Sequence, residues 1–117
     1  MLCAVVLASL AAPAQAKAPP SRLLVEAREF RFSLSRTTMK AGPAIVQLAA
    51  RGEDPHDLRL VKLDAHGRVS GRPASVPETL PGGVGEWRGT LTRGRWRLYC
   101  SLPGHDRAGM HAVLKVR

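Results

Sequence analysis

Cysteine is scarce in this sequence, and its scarcity limits how the fold can be stabilised. The chain has two cysteines, Cys3 and Cys100, and Cys3 lies in an apolar N-terminal run at residues 2–12. A protein that loses this run keeps one cysteine and cannot form an internal disulfide. The Cys100 thiol would then pair with another molecule, react, bind a metal or fill space in the core as a small hydrophobe.

The sequence also lacks an apolar run long enough to span a membrane, which takes about 20 residues. The N-terminal run precedes Ala14-Gln15-Ala16, a small-x-small motif suited to signal peptidase, and Lys17 is the first charged residue. We therefore predict a signal peptide over residues 1–16 and a periplasmic or secreted protein; an uncleaved membrane anchor is the alternative. We expect a short lead at residues 17–22 and one domain at residues 23–117.

Acidic residues are half as numerous as basic ones. The chain has 18 Lys and Arg against 9 Asp and Glu, which gives a formal net charge of +9. Such a field attracts acidic proteins or anionic membrane surfaces, and a generally solvated basic surface is the alternative. Because the arginines are scattered singly along the predicted strands of an exported chain, nucleic acid is not expected as a partner.

Helical periodicity is absent as well, and short apolar-rich runs broken by Gly and Pro favour an all-β sandwich or barrel. The polar stretch at residues 67–85 is expected to be a long loop with a short strand or turn. Residues 37–40 are a further possible short strand. The main predicted strands are residues 23–27, 30–34, 44–50, 57–63, 86–91, 95–100 and 111–116.

Successive residues on a strand face opposite sides of the sheet, so the pattern assigns a direction to each side chain. In the strand that ends at Cys100, the thiol shares the inward, apolar face with Trp96. By the same alternation, Met110 points inward and His111 points outward at the start of the last strand. His56 shares the inward face of its own strand with two leucines.

The most informative segment joins the last two predicted strands. It reads Cys100-Ser-Leu-Pro-Gly-His105-Asp-Arg-Ala-Gly-Met110, which is Cys-x4-His-x4-Met. Its Pro and Gly residues indicate a short constrained loop that can bring its three donors onto one ion. His56 lies at the start of another strand and can join them only through the fold.

The residue types indicate which metal such a site would hold. Thiolate and thioether ligands select soft Cu(I), whereas imidazole also suits Cu(II), and two histidines, a cysteine and a weak axial methionine are associated with blue-copper electron-transfer sites. Zinc more usually takes further thiolates or histidines and no thioether. His56, Cys100, His105 and Met110 are therefore the candidate ligands of one copper ion.

Each of these residues alone has an ordinary alternative. The histidines would be loop residues, the cysteine a core thiol and the methionine core filler, and only their joint spacing in an exported β-protein favours a metal site. Among the remaining residues of these types, His66 is expected to be solvated in a turn and His111 is not expected to be a ligand. Met39, Trp87 and Trp96 are expected to be core residues.

The segments EDPHDLRL and YCSLPGHDRAGMHAVLKV resemble the cupredoxins of the plastocyanin and azurin type. The upstream segment EFRFSLSRTTMKAGPAIVQLAARGEDPHDL resembles the first strands of that family, so the similarity covers roughly residues 23–117. The resemblance implies His56, Cys100 and His105 as equatorial ligands and Met110 as the axial ligand. It also implies a Greek-key β-sandwich or barrel with copper near one end.

Asp57 departs from the family pattern, in which many members have Asn after the first histidine. The Asn amide helps to tie the two ligand loops together, whereas an ionised Asp offers acceptors only. Asp57 would accept from the Ser101 hydroxyl or from a backbone N–H, or it would face solvent. The reduction potential and the rigidity of the site depend on which of these holds.

The resemblance implies a one-electron carrier with the exposed edge of His105 as its electron port. Leu102, Pro103, Gly104 and Ala108 would surround that port. The expected partner is a redox protein such as a cytochrome or an oxidase, which the basic charge would steer through an acidic docking surface. The chain is expected to be a monomer with no stable membrane insertion.

Three other functions remain as alternatives. The same ligands would serve a protein that stores or delivers copper. A multicopper oxidase or nitrite reductase would need additional copper sites, and the chain has only four histidines and no catalytic motif, so an enzyme is not expected. A metal-free β-sandwich used for adhesion or assembly would leave the Cys-x4-His-x4-Met loop unexplained.

Overall fold

The computed structural model describes residues 8–14 and 17–117. The predicted signal peptide falls largely on residues 1–7 and 15–16, which lie outside the described residues, and its cleavage after Ala16 stays a prediction. The described residues 8–14 are exposed and form neither helix nor strand. No described helix is both long and apolar enough to cross a membrane.

The chain from residue 17 onwards forms short strands joined mostly by tight turns, with one turn of helix near the C-terminus. Helix α1 (His105–Ala108) lies between the last two strands. The strands are β1 (Ser21–Arg28), β2 (Arg31–Leu34), β3 (Thr38–Met39), β4 (Gly42–Ala50), β5 (His56–Leu63), β6 (Val69–Thr79), β7 (Val84–Leu91), β8 (Gly94–Tyr99) and β9 (His111–Val116).

The strands form two mixed sheets. One has the strand order β2-β1-β4-β7 and the other has the order β3-β9-β8-β5-β6. β1 pairs in parallel with β4, and β3 pairs in parallel with β9, whereas the other neighbours are antiparallel. The prediction of an all-β sandwich is confirmed.

The core consists of the inward faces of both sheets. Val25 and Val46 from the first sheet and Leu60 and Leu98 from the second are all fully buried. The alternation predicted for the strand that ends at Cys100 is confirmed, since the side chains expected to point inward are buried. Burying this apolar surface supplies the main force that holds the two sheets together.

The prediction of a long loop at residues 67–85 is wrong. Most of this segment is strand β6, which pairs with β5 at the edge of the second sheet. Pro73 and Pro77 argued against a strand in the sequence. Proline is nevertheless tolerated on an edge strand, because one side of an edge strand has no hydrogen-bonded neighbour. Register shifts between β5 and β6 interrupt the regular alternation further. The single turn of α1 was also not predicted, since four residues are too few to show a period.

The connections gather at two opposite ends of the sandwich. The turns β1–β2, β4–β5, β6–β7 and β8–β9 lie at one end, which we call the site end. The turns β2–β3, β3–β4, β5–β6 and β7–β8 lie at the other, with the start of β1 and the end of β9; we call this the far end. The candidate ligands all belong to the site end.

Candidate metal centre

Three of the four candidate ligands meet at the site end. The Nδ1 atoms of His56 and His105 lie 3.2 Å apart, and Cys100 Sγ lies 3.5 Å from His105 Nδ1. One donor atom from each of these residues lies within 4.8 Å of the other two. His56 and Cys100 are fully buried, whereas His105 is partly exposed.

These separations suit donors that share one ion. A first-row metal such as zinc binds histidine nitrogen at about 2.0–2.1 Å and cysteine sulfur at about 2.3 Å. At a tetrahedral angle, such bonds place two nitrogens about 3.3 Å apart and a nitrogen and a sulfur about 3.6 Å apart. The separations between His105 Nδ1 and its two neighbours are close to these values, so the side chains are already arranged as a ligand set.

Backbone hydrogen bonds tie Met110 to two of the other candidate ligands. Its N–H donates to the carbonyl oxygen of His105 at 3.1 Å, and its own carbonyl oxygen accepts the N–H of Cys100 at 3.1 Å. The Met110 side chain is fully buried. These bonds close the ligand loop and keep the first residue of β9 beside the end of β8. Its role as an axial ligand remains a prediction from the sequence.

Two glycines and an ion pair fix the shape of the ligand loop. Gly104 (φ 80°) and Gly109 (φ 126°) flank α1 in conformations that residues with a side chain rarely adopt. A Cβ atom at Gly109 would also lie 2.9 Å from the carbonyl oxygen of Phe30. The Arg97 guanidinium donates to both carboxylate oxygens of Asp106, at 2.7 and 2.9 Å, and so holds α1 against β8.

The Cys100 thiol is buried, and no positively charged side chain contributes to its pKa shift. Burial raises its pKa above the usual value, and hydrogen bonds from the neighbouring backbone oppose this only in part. The neutral thiol is therefore favoured in the metal-free protein. Because a metal ligand must be the thiolate, a bound cation would supply the positive charge that the surroundings of Cys100 lack.

Asp57 ties the two ligand loops together. Its carboxylate accepts the backbone N–H of Ser101 at 2.6 Å and also accepts the Ser101 hydroxyl. Asp57 is nearly fully buried, and Arg59 Nε lies 3.4 Å from its second oxygen. Of the alternatives left by the sequence, the structure therefore shows acceptance from both Ser101 donors and not a solvent-facing carboxylate. Asp57 follows one ligand directly and Ser101 follows another, so this contact sets the distance between His56 and Cys100.

Glu29, in the β1–β2 turn, orients the ring of His56. His56 Nε2 lies 2.9 Å from Glu29 Oε1. An ionised carboxylate can only accept a hydrogen bond, so Nε2 carries the proton and donates it. The lone pair of His56 is then left on Nδ1, the atom that faces His105. A carboxylate in this position fixes both the tautomer and the orientation of a metal-binding histidine.

The backbone holds the Glu29 carboxylate in its ionised form. Glu29 accepts the N–H groups of Asp54 at 2.8 Å and of Glu53 at 3.1 Å. The bond from Asp54, followed by that from Glu53, lowers the pKa of Glu29 to about 2, and the His56 ring contributes to the same direction. A Cβ atom at Gly52 would collide with this carboxylate, so a larger residue there would displace Glu29 from its present position.

A second residue of the same turn touches the other histidine. The Phe30 ring packs edge-on against the His105 ring, with centroids 5.1 Å apart and an interplanar angle of 68°. Phe30 is 42% exposed, so it lies on the surface beside the ring edge. Pro103, Gly104 and Ala108 are exposed in the adjoining loop and Leu102 is half-buried. The surface around His105 is therefore apolar.

The remaining candidates lie outside this cluster. His66 is exposed in the turn after β5, where its N–H donates to Asp64, and His111 is exposed at the start of β9. Met39 and Trp96 are buried core residues, and Trp87 packs partly buried against the core. The solvated turn position of His66, the outward direction of His111 and the packing of Met39, Trp87 and Trp96 in the core are confirmed.

Sequence reasoning missed Glu29 and Phe30. Glu29 lies between two predicted strands, where a charged residue looks like an ordinary turn residue. Phe30 was predicted to begin the strand at residues 30–34, whereas β2 starts at Arg31 and Phe30 belongs to the turn. One signal could have pointed to them. The β1–β2 turn lies at the same end of the sandwich as the start of β5, where His56 lies. The hydrogen bond from His56 to Glu29 spans the two sheets and could not be read from spacing.

Asp57→Ala is expected to destabilise the metal-free protein by about 1–3 kcal/mol, because two Ser101 donors lose their buried acceptor. Denaturant unfolding followed by tryptophan fluorescence measures this. Asp57→Asn is the matched control: its amide can still accept one bond and donate another, so it should cost less than the alanine variant. Equal midpoints for Asp57→Ala and the parent chain would show that this contact does not hold the loops together.

Glu29→Gln is expected to weaken Cu(II) binding by about 10- to 100-fold, the usual effect of losing the group that orients a ligand. An amide nitrogen facing His56 would favour the tautomer with its proton on Nδ1, where the metal must bind. Competition titration against a chelator at fixed pH measures the affinity. Glu53→Gln removes the same charge from an exposed neighbouring side chain, and an equal loss in both variants would point to charge alone.

Comparisons with known proteins find relatives by structure. No family model matches the sequence, and no curated protein matches it. The chain is similar in structure to auracyanin B, with a TM-score of 0.67 and 16% identity over 87% of this chain and 93% of that chain. It is also similar to auracyanin A, a "blue" copper protein from Chloroflexus aurantiacus (TM-score 0.62, 16% identity, 85% and 100% covered).

A third similar structure is a variant of amicyanin in its reduced Cu(I) form, with a TM-score of 0.55 and 15% identity over 86% of this chain and 87% of that one. Identities this low show a shared fold, and the likeness extends over nearly the whole length of each protein. The histidine–cysteine–histidine cluster lies at one end of that fold, as the sequence predicted. The chain therefore has the cupredoxin fold.

Proposed function

We propose that this protein is an exported one-electron carrier with a single type 1 copper site, ligated by His56, Cys100, His105 and Met110. The observation that carries the proposal is the convergence of two imidazole Nδ1 atoms and one buried thiol within 4.8 Å of one another. The blue copper proteins among the structural neighbours support the same reading.

The donor set supports copper over other metals. A buried thiolate with two imidazoles and a thioether suits both Cu(I) and Cu(II), whereas structural zinc sites more usually have four Cys or His ligands. A bound copper ion supplies a one-electron couple between these two states. Among the described residues, this is the one group of His, Cys and acidic side chains with metal-ligand spacing. That favours a carrier over an enzyme with several copper sites.

The ligands are held by protein contacts that do not depend on a metal. Glu29 orients His56, Asp57 fixes the loop after Cys100, and backbone bonds close the loop to Met110. A ligand set fixed in this way changes little between oxidation states, which favours electron transfer. A protein that releases its copper to a partner would gain more from ligands that can move apart.

Electrons would enter and leave through the exposed edge of His105. Phe30, Pro103 and Gly104 give this surface an apolar character, which suits brief and close docking. Weak redox complexes use small interfaces of this kind. The partner is a redox protein such as a cytochrome or an oxidase, which gives or takes one electron while this protein is oxidised or reduced in turn.

The charges do not favour steering through the port itself. Acidic residues at the site end, including Glu53, Asp54 and Asp106, offset the basic residues there, which are Arg28, Arg31, Arg51 and Arg107. The partner surface facing the port is therefore expected to be apolar and weakly charged rather than strongly acidic. This revises the expectation, drawn from the net charge of +9 alone, that the partner docks through an acidic surface.

Protein-film voltammetry of the copper-loaded protein tests the proposal. A reversible one-electron wave is expected, with copper retained in both oxidation states when a Cu(I) chelator is present. Cys100→Ala should lose both the wave and the intense visible absorption band of the thiolate–copper bond. If the parent chain gives up its copper to the chelator on reduction, copper delivery is the better reading. A variant that keeps the colour would show that Cys100 is not a ligand.

Met110→Leu should keep copper bound while raising the reduction potential, because Cu(II) loses a weak axial donor. Leucine is similar in volume and should preserve the core around β9. Voltammetry at one pH gives the shift, and Met39→Leu is the control, since Met39 is buried at the far end. An unchanged or lowered potential in the Met110 variant would argue against axial ligation.

A further inference from the structure

The positive charge of this protein is unevenly distributed between its two ends. Exposed basic side chains gather where β3, β8 and β9 meet at the far end. Asp64 is the one acidic residue in the described turns of this end, and Arg68 pairs with it at 3.2 Å. We call the exposed residues Arg36, Lys40, Arg93, Arg95, Lys115 and Arg117 the far-end cluster.

Backbone bonds bring the members of the far-end cluster together. The N–H of Ala41 donates to the Arg117 carbonyl oxygen at 2.9 Å, and the N–H of Arg117 donates to that of Met39 at 2.9 Å, so Lys40 and Arg117 are neighbours. The N–H of Lys115 donates to Thr37, which follows Arg36.

Strand pairing adds the remaining members. Arg95 lies directly opposite Lys115 across β8 and β9. Arg93 precedes Gly94, which pairs with Val116, and so lies next to Arg117. The ends of three neighbouring strands, β3, β9 and β8, and the turns next to them thus carry all six basic residues.

These charges have no compensation within the described part of the chain. None of the six residues forms an ion pair there, whereas five other arginines do, each with a nearby carboxylate. Like charges opposite each other on neighbouring strands repel, as Arg95 and Lys115 do. An external anionic surface would lower the electrostatic energy of this end. At the site end, Arg28 faces Arg31 across β1 and β2, but Glu29, Glu53 and Asp54 lie in the neighbouring turns and offset their charge.

We propose that the far-end cluster binds the surface of an anionic phospholipid bilayer. Exposed lysine and arginine side chains without a shaped pocket suit a fluid layer of phosphate headgroups, which adapts to their positions. The chain also enters the domain at this end, since Ser21 Oγ donates to the Lys40 carbonyl oxygen at 3.2 Å. Lys17, the first charged residue of the chain, therefore precedes the domain on the side that carries the cluster.

This binding would orient the domain on the bilayer. The strands run from the far end to the site end, so the apolar surface around His105 would face away from the lipid and towards soluble partners. Lipid binding does not depend on the proposed copper chemistry, and it can be measured on the metal-free protein. Only the idea that this orientation helps electron transfer rests on the proposed function of the His105 surface.

Co-sedimentation of the full chain with vesicles tests the proposal. Vesicles of phosphatidylglycerol and phosphatidylcholine are compared with vesicles of phosphatidylcholine alone at low ionic strength, with and without copper. Binding to the anionic vesicles is expected to exceed binding to the neutral ones and to fall as salt screens the charges. The apolar N-terminal segment is common to every sample and contributes to both kinds of vesicle.

Two charge-matched variants locate the binding surface. The far-end variant carries Arg36→Gln, Lys40→Gln, Arg93→Gln and Arg117→Gln, and the site-end control carries Arg28→Gln, Arg31→Gln, Arg51→Gln and Arg107→Gln. The far-end variant should lose about tenfold or more in affinity for anionic vesicles, and the control should lose less than about threefold. Circular dichroism establishes that both variants fold. If the far-end variant does not fold, the pair Lys40→Gln and Arg93→Gln replaces it against Arg31→Gln and Arg107→Gln.

Three results would overturn the proposal. Equal losses in both variants would show that only the total charge matters. Equal binding of the parent chain to anionic and neutral vesicles would exclude an anionic lipid surface as the ligand. Failure to bind anionic vesicles together with tight binding to polyglutamate would identify an acidic protein as the partner of this end.

Discussion

The arrangement of the candidate metal centre depends on two carboxylates that hold the ligand loops from outside. Glu29 reaches from the first sheet to His56 and is itself fixed by the backbone N–H groups of Asp54 and Glu53. Asp57 joins the start of β5 to the residue after Cys100. Each contact crosses between segments that are distant in sequence, so the ligands are positioned by the assembled sandwich and not by the local loop alone. Two carboxylates this close to the site also favour a bound cation, and they stabilise the higher of two oxidation states.

Much of this site could be predicted from the sequence, because its signals are local. The Cys-x4-His-x4-Met spacing indicates a candidate ligand loop, and strand alternation correctly placed Cys100 and Met110 on the inward face. The parts that could not be predicted depend on tertiary contacts. Strand β6 is polar and rich in proline, and only its position at a sheet edge makes that composition tolerable. Glu29 acts through a hydrogen bond between sheets, which leaves no periodic trace in the sequence.

The net charge of +9 is distributed differently over the two ends of the sandwich, and this changes what it predicts about partners. As a single number, the net charge suggested that an acidic partner is attracted to the proposed electron port. In the folded chain most acidic residues lie near the candidate metal centre, and the far-end cluster, which forms no ion pair among the described residues, lies at the opposite end. Apolar contact at one end and electrostatic contact at the other can therefore serve two different functions. A short β-sandwich separates such functions without needing a second domain.

The claim on which the rest depends is that a buried thiolate and two imidazoles bind one copper ion. Cu(II) titration of the purified protein, followed by visible absorption and electron paramagnetic resonance, tests it most directly. The account predicts an intense blue or green thiolate–copper band that saturates at one equivalent, with a narrow copper hyperfine splitting. A colourless complex, or the weak absorption and wide splitting of ordinary Cu(II), would show that Cys100 does not bind the metal and would contradict the account.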